Sequence, residues 1–363
     1  MEMMPPPSSD GPSDDDSRKV LLAPQKLVCG LRPAVILCVV CASCFSFLLG
    51  YDIGIMSGAK RLVARDMDLS TVQVELLVGS LNVISGFGGL FAGSLADSIG
   101  RRHTASLSCA LTAFGSLLMA ASGNYSILLS GRVITGLGVG GCFQVAPLYI
   151  TEIAPKDVRG KLVSSFDLFI NVGILFGFLA GYILQPRRGN PIDILDEDDH
   201  TDLTDLSNWR WMLGLGAVPP CLLLVGLLYM PESPRYLVAA GRERDALKVL
   251  RSLYVPSEAE ATFAMLQDDA KLHRPLPMWA SVRRVLLPAA GAQRALIVAG
   301  MGVAFCQQAT GVEAAVYYTP ETLEAAGIRN ESMLALATVG VGLIKVGAVT
   351  ALQRRFNGHF NVT

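Results

Sequence analysis

Apolar residues recur along the chain in eight long blocks separated by short polar segments. Runs of about twenty apolar residues are long enough to cross roughly 30 Å of hydrocarbon as α-helices. The blocks predict membrane helices near residues 34–57, 74–96, 104–121, 125–147, 162–184, 210–230, 294–318 and 334–352. The pattern therefore predicts an all-α multi-pass membrane protein.

In three of these blocks an ionisable residue stands out. Asp52 lies toward the end of the first block, Arg132 in the fourth and Asp167 in the fifth. A charge in hydrocarbon costs several kcal/mol by most scales, so such residues are candidates for functional sites.

The composition agrees with a membrane location, because 51% of the 363 residues are hydrophobic and 17% are charged. A soluble domain rarely carries so little charge over such a length. We expect no nucleic-acid partner, since no basic patch with interleaved aromatic residues occurs. No nucleotide-binding loop or catalytic triad is apparent, so we predict no enzyme activity and no cofactor.

Cys38, Cys41 and Cys44 share one helical face, but no His or carboxylate neighbours them. A metal site there is one interpretation. Small packing residues are the interpretation that we adopt, and we predict no metal.

The distribution of Lys and Arg predicts the orientation. Basic residues concentrate in the loops that follow even-numbered helices, whereas residues 186–208 carry seven carboxylates against two arginines. The positive-inside rule then places the N-terminus in the cytosol. The N-terminal segment is acidic and rich in Pro and Ser, and it lacks the apolar core of a signal peptide.

Between the sixth and seventh blocks, RERDALKVLRSL and SEAEATFAMLQDDAKL predict two short amphipathic helices. Five segments follow from these features. They are a disordered cytosolic tail (1–32), a six-helix bundle (33–237), cytosolic amphipathic helices (238–292), the first two helices of a second bundle (293–352) and a divergent tail (353–363).

The loop GSLADSIGRR, residues 93–102, places Asp97, Arg101 and Arg102 among closely spaced helix ends. It resembles the signature loop of the major facilitator superfamily. An ordinary positively charged loop would explain the arginines, but not the aspartate and the glycines.

Three further motifs, GRVITGLGVGG (131–141), PLYITEIAPKDVRG (147–160) and PESPRYL (231–237), together resemble the sugar porter family. Glu152 and Arg159 flank a turn and are expected to pair across it. The resemblance implies a major facilitator fold with an inner gate that ties its two halves together. The implied gate residues are Asp97, Arg101, Arg102, Glu152, Arg159, Glu232 and Arg235.

The seventh block contains QQATGVEAAVYYTP, residues 307–320. By resemblance to sugar porters, Gln307, Gln308 and Glu313 contact substrate hydroxyls, and Asp167 belongs to the same site. The family more often has Asn and Gln where this chain has Glu313 and Asp167, and the two acids are most similar to plant polyol and monosaccharide porters. Carboxylates accept hydrogen bonds from hydroxyls well. Alternatively, either acid is protonated or is paired with a cation elsewhere.

In proton-coupled members of this family, an Asp on helix one faces an Arg on helix four. Asp52 and Arg132 occupy these positions, so the resemblance implies a proton-coupling pair, with the proton as coupling ion. A purely structural pair between two helices is the other interpretation.

The resemblance stops near residue 349, before the last four helices of the family. We therefore expect a proton-coupled polyol or hexose symporter, more often at a plasma membrane than at a vacuolar one. The alternatives are a truncated product that does not transport and associates with the full-length carrier, or a proton-independent facilitator.

Overall fold

The computed structural model describes residues 33–155, 158–185, 208–272, 291–328 and 330–359. The predicted tail 1–32, nearly all of the acidic segment before the sixth helix and residues 360–363 lie outside the described residues. What the sequence predicts for them stays a prediction.

The described residues fold almost entirely into α-helices. Their bounds are α1 Pro33–Asp66, α2 Thr71–Ile99, α3 Arg101–Ala120, α4 Tyr125–Ile153, α5 Arg159–Leu184, α6 Asn208–Leu215, α7 Val218–Tyr229, α8 Pro234–Ala239, α9 Glu243–Leu253, α10 Pro256–Leu272, α11 Gly291–Ala309, α12 Val312–Tyr317, α13 Thr319–Ala325 and α14 Glu331–His359. Among the described residues, these helices form eight spans that are long and apolar enough to cross a membrane. The eight predicted spans are confirmed.

Several helices are longer than their apolar runs. The first ends at Asp66 instead of residue 57, and the fourth continues past Pro147 to Ile153. The last, α14, runs past residue 352 into the segment predicted as a tail. Hydropathy marks the part of a helix that contacts lipid, whereas backbone hydrogen bonds continue until a cap or breaker ends them.

Two predicted spans are interrupted. The sixth divides into α6 and α7 because Pro219 and Pro220 occupy the first turn of α7 and lack the N–H groups that would continue a helix. The seventh divides into α11 and α12 at Gly311, whose φ of 64° is left-handed.

Close backbone contact brings the membrane helices together. Helix α1 packs mainly on α5, while α2 and α3 both pack on α4. A Cβ atom on Gly50 would overlap the carbonyl oxygen of Ile170, and one on Gly140 would overlap that of Ser85. Small residues at these crossings let the helix backbones approach, as is common between membrane helices.

The interior contains two clusters of buried apolar side chains, one toward each end of the bundle. One includes Phe45 and Ile153, and the other includes Met56 and Trp209. We name the two ends of the molecule by a carboxylate found at each, the Glu152 end and the Glu321 end. Asp52 lies in α1 at the level where the two clusters meet.

The segment between the two groups of membrane helices contains α9 and α10, at the two places where the sequence predicts short helices. One face of α9 is buried, and it carries Ala246, Leu250 and Leu253. Tyr254 donates its hydroxyl to the carbonyl oxygen of Ile153 at 2.9 Å, which docks this segment on the end of α4. Burial raises the pKa of Tyr254, so the hydroxyl keeps its proton at neutral pH.

Candidate functional site

Asp52 on α1 and Arg132 on α4 form a buried ion pair. The Nη1 atom of Arg132 lies 2.8 Å from Oδ1 and 2.7 Å from Oδ2 of Asp52. Arg132 is fully buried and Asp52 is 7% exposed. The structure thus brings together the two charges that the sequence placed in different membrane helices.

The rest of the Arg132 guanidinium is only partly satisfied. Its Nε donates to the carbonyl oxygen of Leu77 at 3.2 Å, but Nη2 has no hydrogen-bond partner within the described part of the chain. The hydroxyl of Tyr317 on α12 is likewise buried without such a partner, and it lies within electrostatic range of Asp52 and Arg132. Two buried donors in this region, Nη2 of Arg132 and the hydroxyl of Tyr317, are therefore without partners among the described residues.

At the Glu152 end, Arg101 connects three helix ends. Its Nε and Nη2 donate to the two carboxylate oxygens of Glu152 at 2.9 and 2.8 Å, and Nη2 lies 3.0 Å from Oδ1 of Asp97. Planar two-point pairing of this kind is the stronger form of Arg–carboxylate contact.

Glu232 caps the same junction. Its Oε1 accepts hydrogen bonds from the backbone N–H groups of Arg101 at 2.8 Å, Arg102 at 3.1 Å and Ser233 at 2.9 Å. The first turn of α3 has free N–H groups and a positive dipole end, so a carboxylate is stabilising there. Gly100, with φ of 98°, leaves the space that this carboxylate occupies.

The predicted pair of Glu152 with Arg159 is not formed, because Arg101 takes both oxygens of Glu152. Arg159 donates instead to the carbonyl oxygen of Ala154 at 3.3 Å. Arg235 is exposed and, within the described ranges, makes no ion pair. The described ion pairs of Arg101 at this end lie within the first six-helix bundle. A gate between two halves therefore stays a prediction.

The predicted substrate residues of the seventh span lie at its break. Glu313 accepts a hydrogen bond from Nδ2 of Asn82 on α2 at 3.0 Å and a longer one from Nε2 of Gln308 at 3.4 Å. Gln307 and Asp167 are exposed. The structure thus brings Gln308 and Glu313 together and adds Asn82, which the sequence reasoning missed.

Lys345 on α14 was also missed. It lies in the middle of the last apolar run, half-buried, within electrostatic range of both Asp167 and Glu313. A lysine inside a membrane run is the same signal that singled out Arg132 and could have identified it.

The Glu321 end contains a second charged network, which the sequence reasoning missed as well. Lys60 on α1 donates to the carbonyl oxygen of Tyr317 at 2.9 Å and lies 3.2 Å from Glu321 on α13. Its Nζ is also 3.7 Å from the ring centre of Tyr318. These contacts join the first bundle to the helices that follow Gly311.

Neighbouring ion pairs reinforce this junction. Arg61 lies 3.0 Å from Glu321 and 2.9 Å from Glu324, and Arg65 is 3.9 Å from Glu331. Tyr318 donates its hydroxyl to Glu75 on α2. The signal in the sequence was the run of basic residues directly after the first apolar block.

Comparison with known proteins identifies the family of this chain. The family model described as "Sugar (and other) transporter" matches residues 37–352. The chain belongs to the sugar transporter family. Six polyol transporters from Arabidopsis thaliana are 36–38% identical to it over 318–332 residues, among them Polyol transporter 5, which is 37% identical over 331 residues. The match covers 86% of this chain and 57% of Polyol transporter 5.

Solved structures agree on the fold of this sugar transporter family member. A structure of the proton:xylose symporter XylE superposes with a TM-score of 0.74 at 23% identity, covering 88% of this chain and 68% of that one. A partially occluded inward-open structure of XylE from E. coli gives 0.70 at 22% identity, covering 86% and 71%. The fold is that of the major facilitator superfamily, and the chain spans 57–64% of the length of the six polyol transporters.

Proposed function

We propose that this chain serves the proton-coupled symport of a polyol or monosaccharide by alternating access. The observation that carries the proposal is the buried Asp52–Arg132 pair, with both carboxylate oxygens on one guanidinium nitrogen. Relatives named as polyol transporters support the substrate class, and the fold of a proton:xylose symporter supports the transport class.

The geometry suggests how a proton would be linked to movement. While Asp52 is ionised, it holds Arg132 and therefore α1 against α4. Protonation of Asp52 removes the charge that Arg132 needs, and the two unpaired donors nearby, Nη2 of Arg132 and the hydroxyl of Tyr317, are then free to reorganise.

Tyr317 would carry this change to the Glu321 end. Its hydroxyl is buried without a partner among the described residues, while its carbonyl oxygen accepts a hydrogen bond from Lys60. A shift of α12 thus acts on both the proton site and the contacts that join α1 to α13. This connects the protonation state of one carboxylate to the closure of one end of the molecule.

The substrate would bind beside this break, at Asp167, Gln307, Gln308 and Glu313. Their carboxylates and amides suit the hydroxyls of an uncharged polyol. The Glu152 end would face the cytosol and form the inner gate with partners from the second half of a full carrier. A plasma membrane with a cytosolic N-terminus is the location that we propose.

Transport in liposomes tests the proposal. Proteoliposomes containing only this chain should accumulate labelled sorbitol when a proton gradient is imposed, and Asp52→Asn should abolish accumulation while leaving exchange. Asp68→Asn, at an exposed position beyond the same helix, is the matched control and should behave as wild type. Accumulation that survives Asp52→Asn would place the proton site elsewhere.

A second candidate function rests on α11. No described side chain of this helix is buried, and its Gln307 and Gln308 present amides that need partners in a bilayer. In this alternative the chain does not transport and binds a full-length carrier. Gradient-independent equilibration of sorbitol would instead indicate a facilitator. Absent uptake together with co-purification of a full-length polyol carrier would favour the non-transporting product.

A further inference from the structure

The packing of α14 on α5 fixes where Lys345 lies. Gly342 on α14 contacts Leu175 and Phe178 on α5, and Nε2 of Gln353 donates to the carbonyl oxygen of Ser164 at 2.6 Å. The two helices run antiparallel, because later residues of α14 meet earlier residues of α5. These contacts set the register of the pair.

Helical spacing then places two charges on the facing sides. Gly342, Lys345 and Gln353 share one face of α14 at intervals of three and eight residues, while Ser164, Asp167 and Leu175 share one face of α5. In this register Lys345 and Asp167 are offset by five residues, or about 7 Å along the axis. The length of a lysine side chain spans most of that offset.

Lys345 lies near Asp167 and Glu313 but forms no direct ion pair with either. Lys345 is within electrostatic range of Asp167 and Glu313. With the described residues it makes no ion pair inside 4.0 Å. Glu313 is held in place from the other side by Asn82 at 3.0 Å. The ammonium of Lys345 is therefore close enough to both carboxylates to interact with them, and it forms a direct ion pair with neither.

We infer that Lys345 is a positioning and specificity-determining residue of the substrate site, where it compensates the charge of Asp167 and Glu313 and donates to a substrate hydroxyl. A hydroxyl accepts from an ammonium and donates to a carboxylate, so a polyol fits between these groups. Lys345 is thus the cation that the two acids require, and an uncharged, hydroxyl-rich substrate suits a site that is close to balanced in charge. This inference rests on the proposed function.

Binding to the purified full chain in lipid nanodiscs tests it, with sorbitol as the probe. Lys345→Met keeps the length of the side chain but removes its charge, and should weaken sorbitol binding by about tenfold or more, as expected for a hydrogen bond to a charged group. Lys345→Arg should bind within about threefold of wild type, because the charge is kept. Lys248→Met, at an exposed lysine of α9, is the matched control and should not differ.

Thermal unfolding without ligand separates this inference from the proposed function. Lys345→Met and Asp167→Asn should each lower the midpoint, while the double variant should recover part of the loss because no uncompensated carboxylate remains at that contact. Equal sorbitol binding by Lys345→Met and wild type would overturn the inference, and so would additive effects on the midpoint. If wild type binds neither sorbitol nor glucose, the proposed function fails, and the unfolding cycle alone decides whether Lys345 compensates the acids.

Discussion

Among the residues that the structure describes, Arg132 combines full burial of its charge with a guanidinium that is only partly hydrogen-bonded. Its guanidinium is fully buried, one nitrogen holds both oxygens of Asp52, and another has no partner. A buried ion pair of this kind contributes little net stability, but losing one partner leaves an uncompensated charge in a medium that solvates it poorly. Asp52 and Arg132 should therefore depend strongly on each other.

Replacing Arg132 with Met should destabilise the protein by about 3–5 kcal/mol, because Asp52 then stays buried without its cation. Adding Asp52→Asn to this variant should recover most of the loss. Thermal or denaturant unfolding of the purified chain in detergent measures both effects.

Arg244→Met is the control for this pair, since Arg244 is exposed on α9. It should change stability by less than about 0.5 kcal/mol. Equal destabilisation by Arg132→Met with and without Asp52→Asn would contradict the dependence between the two charges.

For single residues, the sequence identifies the charged side chains of the site better than it identifies their ion-pair partners. Asp52 and Arg132 were identifiable as expensive residues in apolar runs, and the family pattern paired them. Arg101 could have paired with several nearby carboxylates, and the packing of helix ends decided that Glu152 is its partner. Lys345 could have been identified as a charge inside an apolar run, but its proximity to Asp167 depends on the register of α14 against α5, which no local pattern encodes.

Among the secondary-structure elements, α1 and α5 cross with their backbones in close contact. Gly50 and Gly54 on α1 lie against the backbone of Ile170 and Ile174 on α5. Gly173 and Gly177 on α5 lie in turn against the backbone of α1. Four glycines thus let the helices touch along two turns. Helix α1 carries both Asp52 and Lys60, so the position of this crossing sets the position of both charged groups.

Gly50→Ala should weaken this crossing, because the added methyl group overlaps the carbonyl oxygen of Ile170 and the backbone cannot yield as a side chain would. Overpacking of this kind costs about 1–3 kcal/mol. The thermal midpoint of the purified chain should fall accordingly.

Gly79→Ala provides the comparison, since nothing lies within 4 Å of a Cβ atom at that position on α2. It should raise stability slightly, by about 0.5–1 kcal/mol, as alanine favours helix over glycine. A midpoint lowered equally by both substitutions would exclude close packing as the cause.

Within the described ranges, the sequence located each helix that could span a membrane but not every helix end. The ends of apolar runs coincide with changes of environment, while α1 continues for nine residues past its predicted end because Lys60, Arg61 and Arg65 find carboxylate partners on α13 and α14. Those partners are more than 250 residues away in the chain, as the Lys60–Tyr317 separation of 257 indicates. Tertiary contacts of such range lie beyond any pattern within a window of local sequence.

On the scale of the whole molecule, the two ends are held in different ways. The described ion pairs at the Glu152 end stay inside the first six-helix bundle, whereas those at the Glu321 end join that bundle to the helices after Gly311. Between the first bundle and the later helices, the described ion pairs therefore lie at the Glu321 end, while α14 packs on α5 and reaches Ser164 near the other end through Gln353. Glu321 forms ion pairs with both Lys60 and Arg61, so it is the central acidic residue of the Glu321 end.

Glu321→Lys should open the Glu321 end, because it replaces two attractions with two repulsions. Spin labels at Asp68 and Ala325, in a cysteine-free background, should report a longer distance than in wild type. Lys60→Glu combined with Glu321→Lys should restore much of the shorter distance, because the Lys60–Glu321 attraction is then reversed and re-formed.

Glu331→Lys is the matched comparison, since its ion pair with Arg65 is longer, at 3.9 Å, and more exposed. Exposed pairs contribute about 0–1 kcal/mol, so the distance should barely change. An unchanged distance in Glu321→Lys would mean that apolar packing of α12, not charge, holds this end closed.

The buried Asp52–Arg132 pair also bears on how the chain enters the bilayer during synthesis. A lone α4 would expose Arg132 to lipid at a cost of about 2.5–3.5 kcal/mol on insertion scales. Helix α1 leaves the ribosome earlier and already carries Asp52. The order of helices in the chain therefore supplies the counter-charge before the arginine is inserted, and moving α1 behind α4 would make insertion of α4 less efficient.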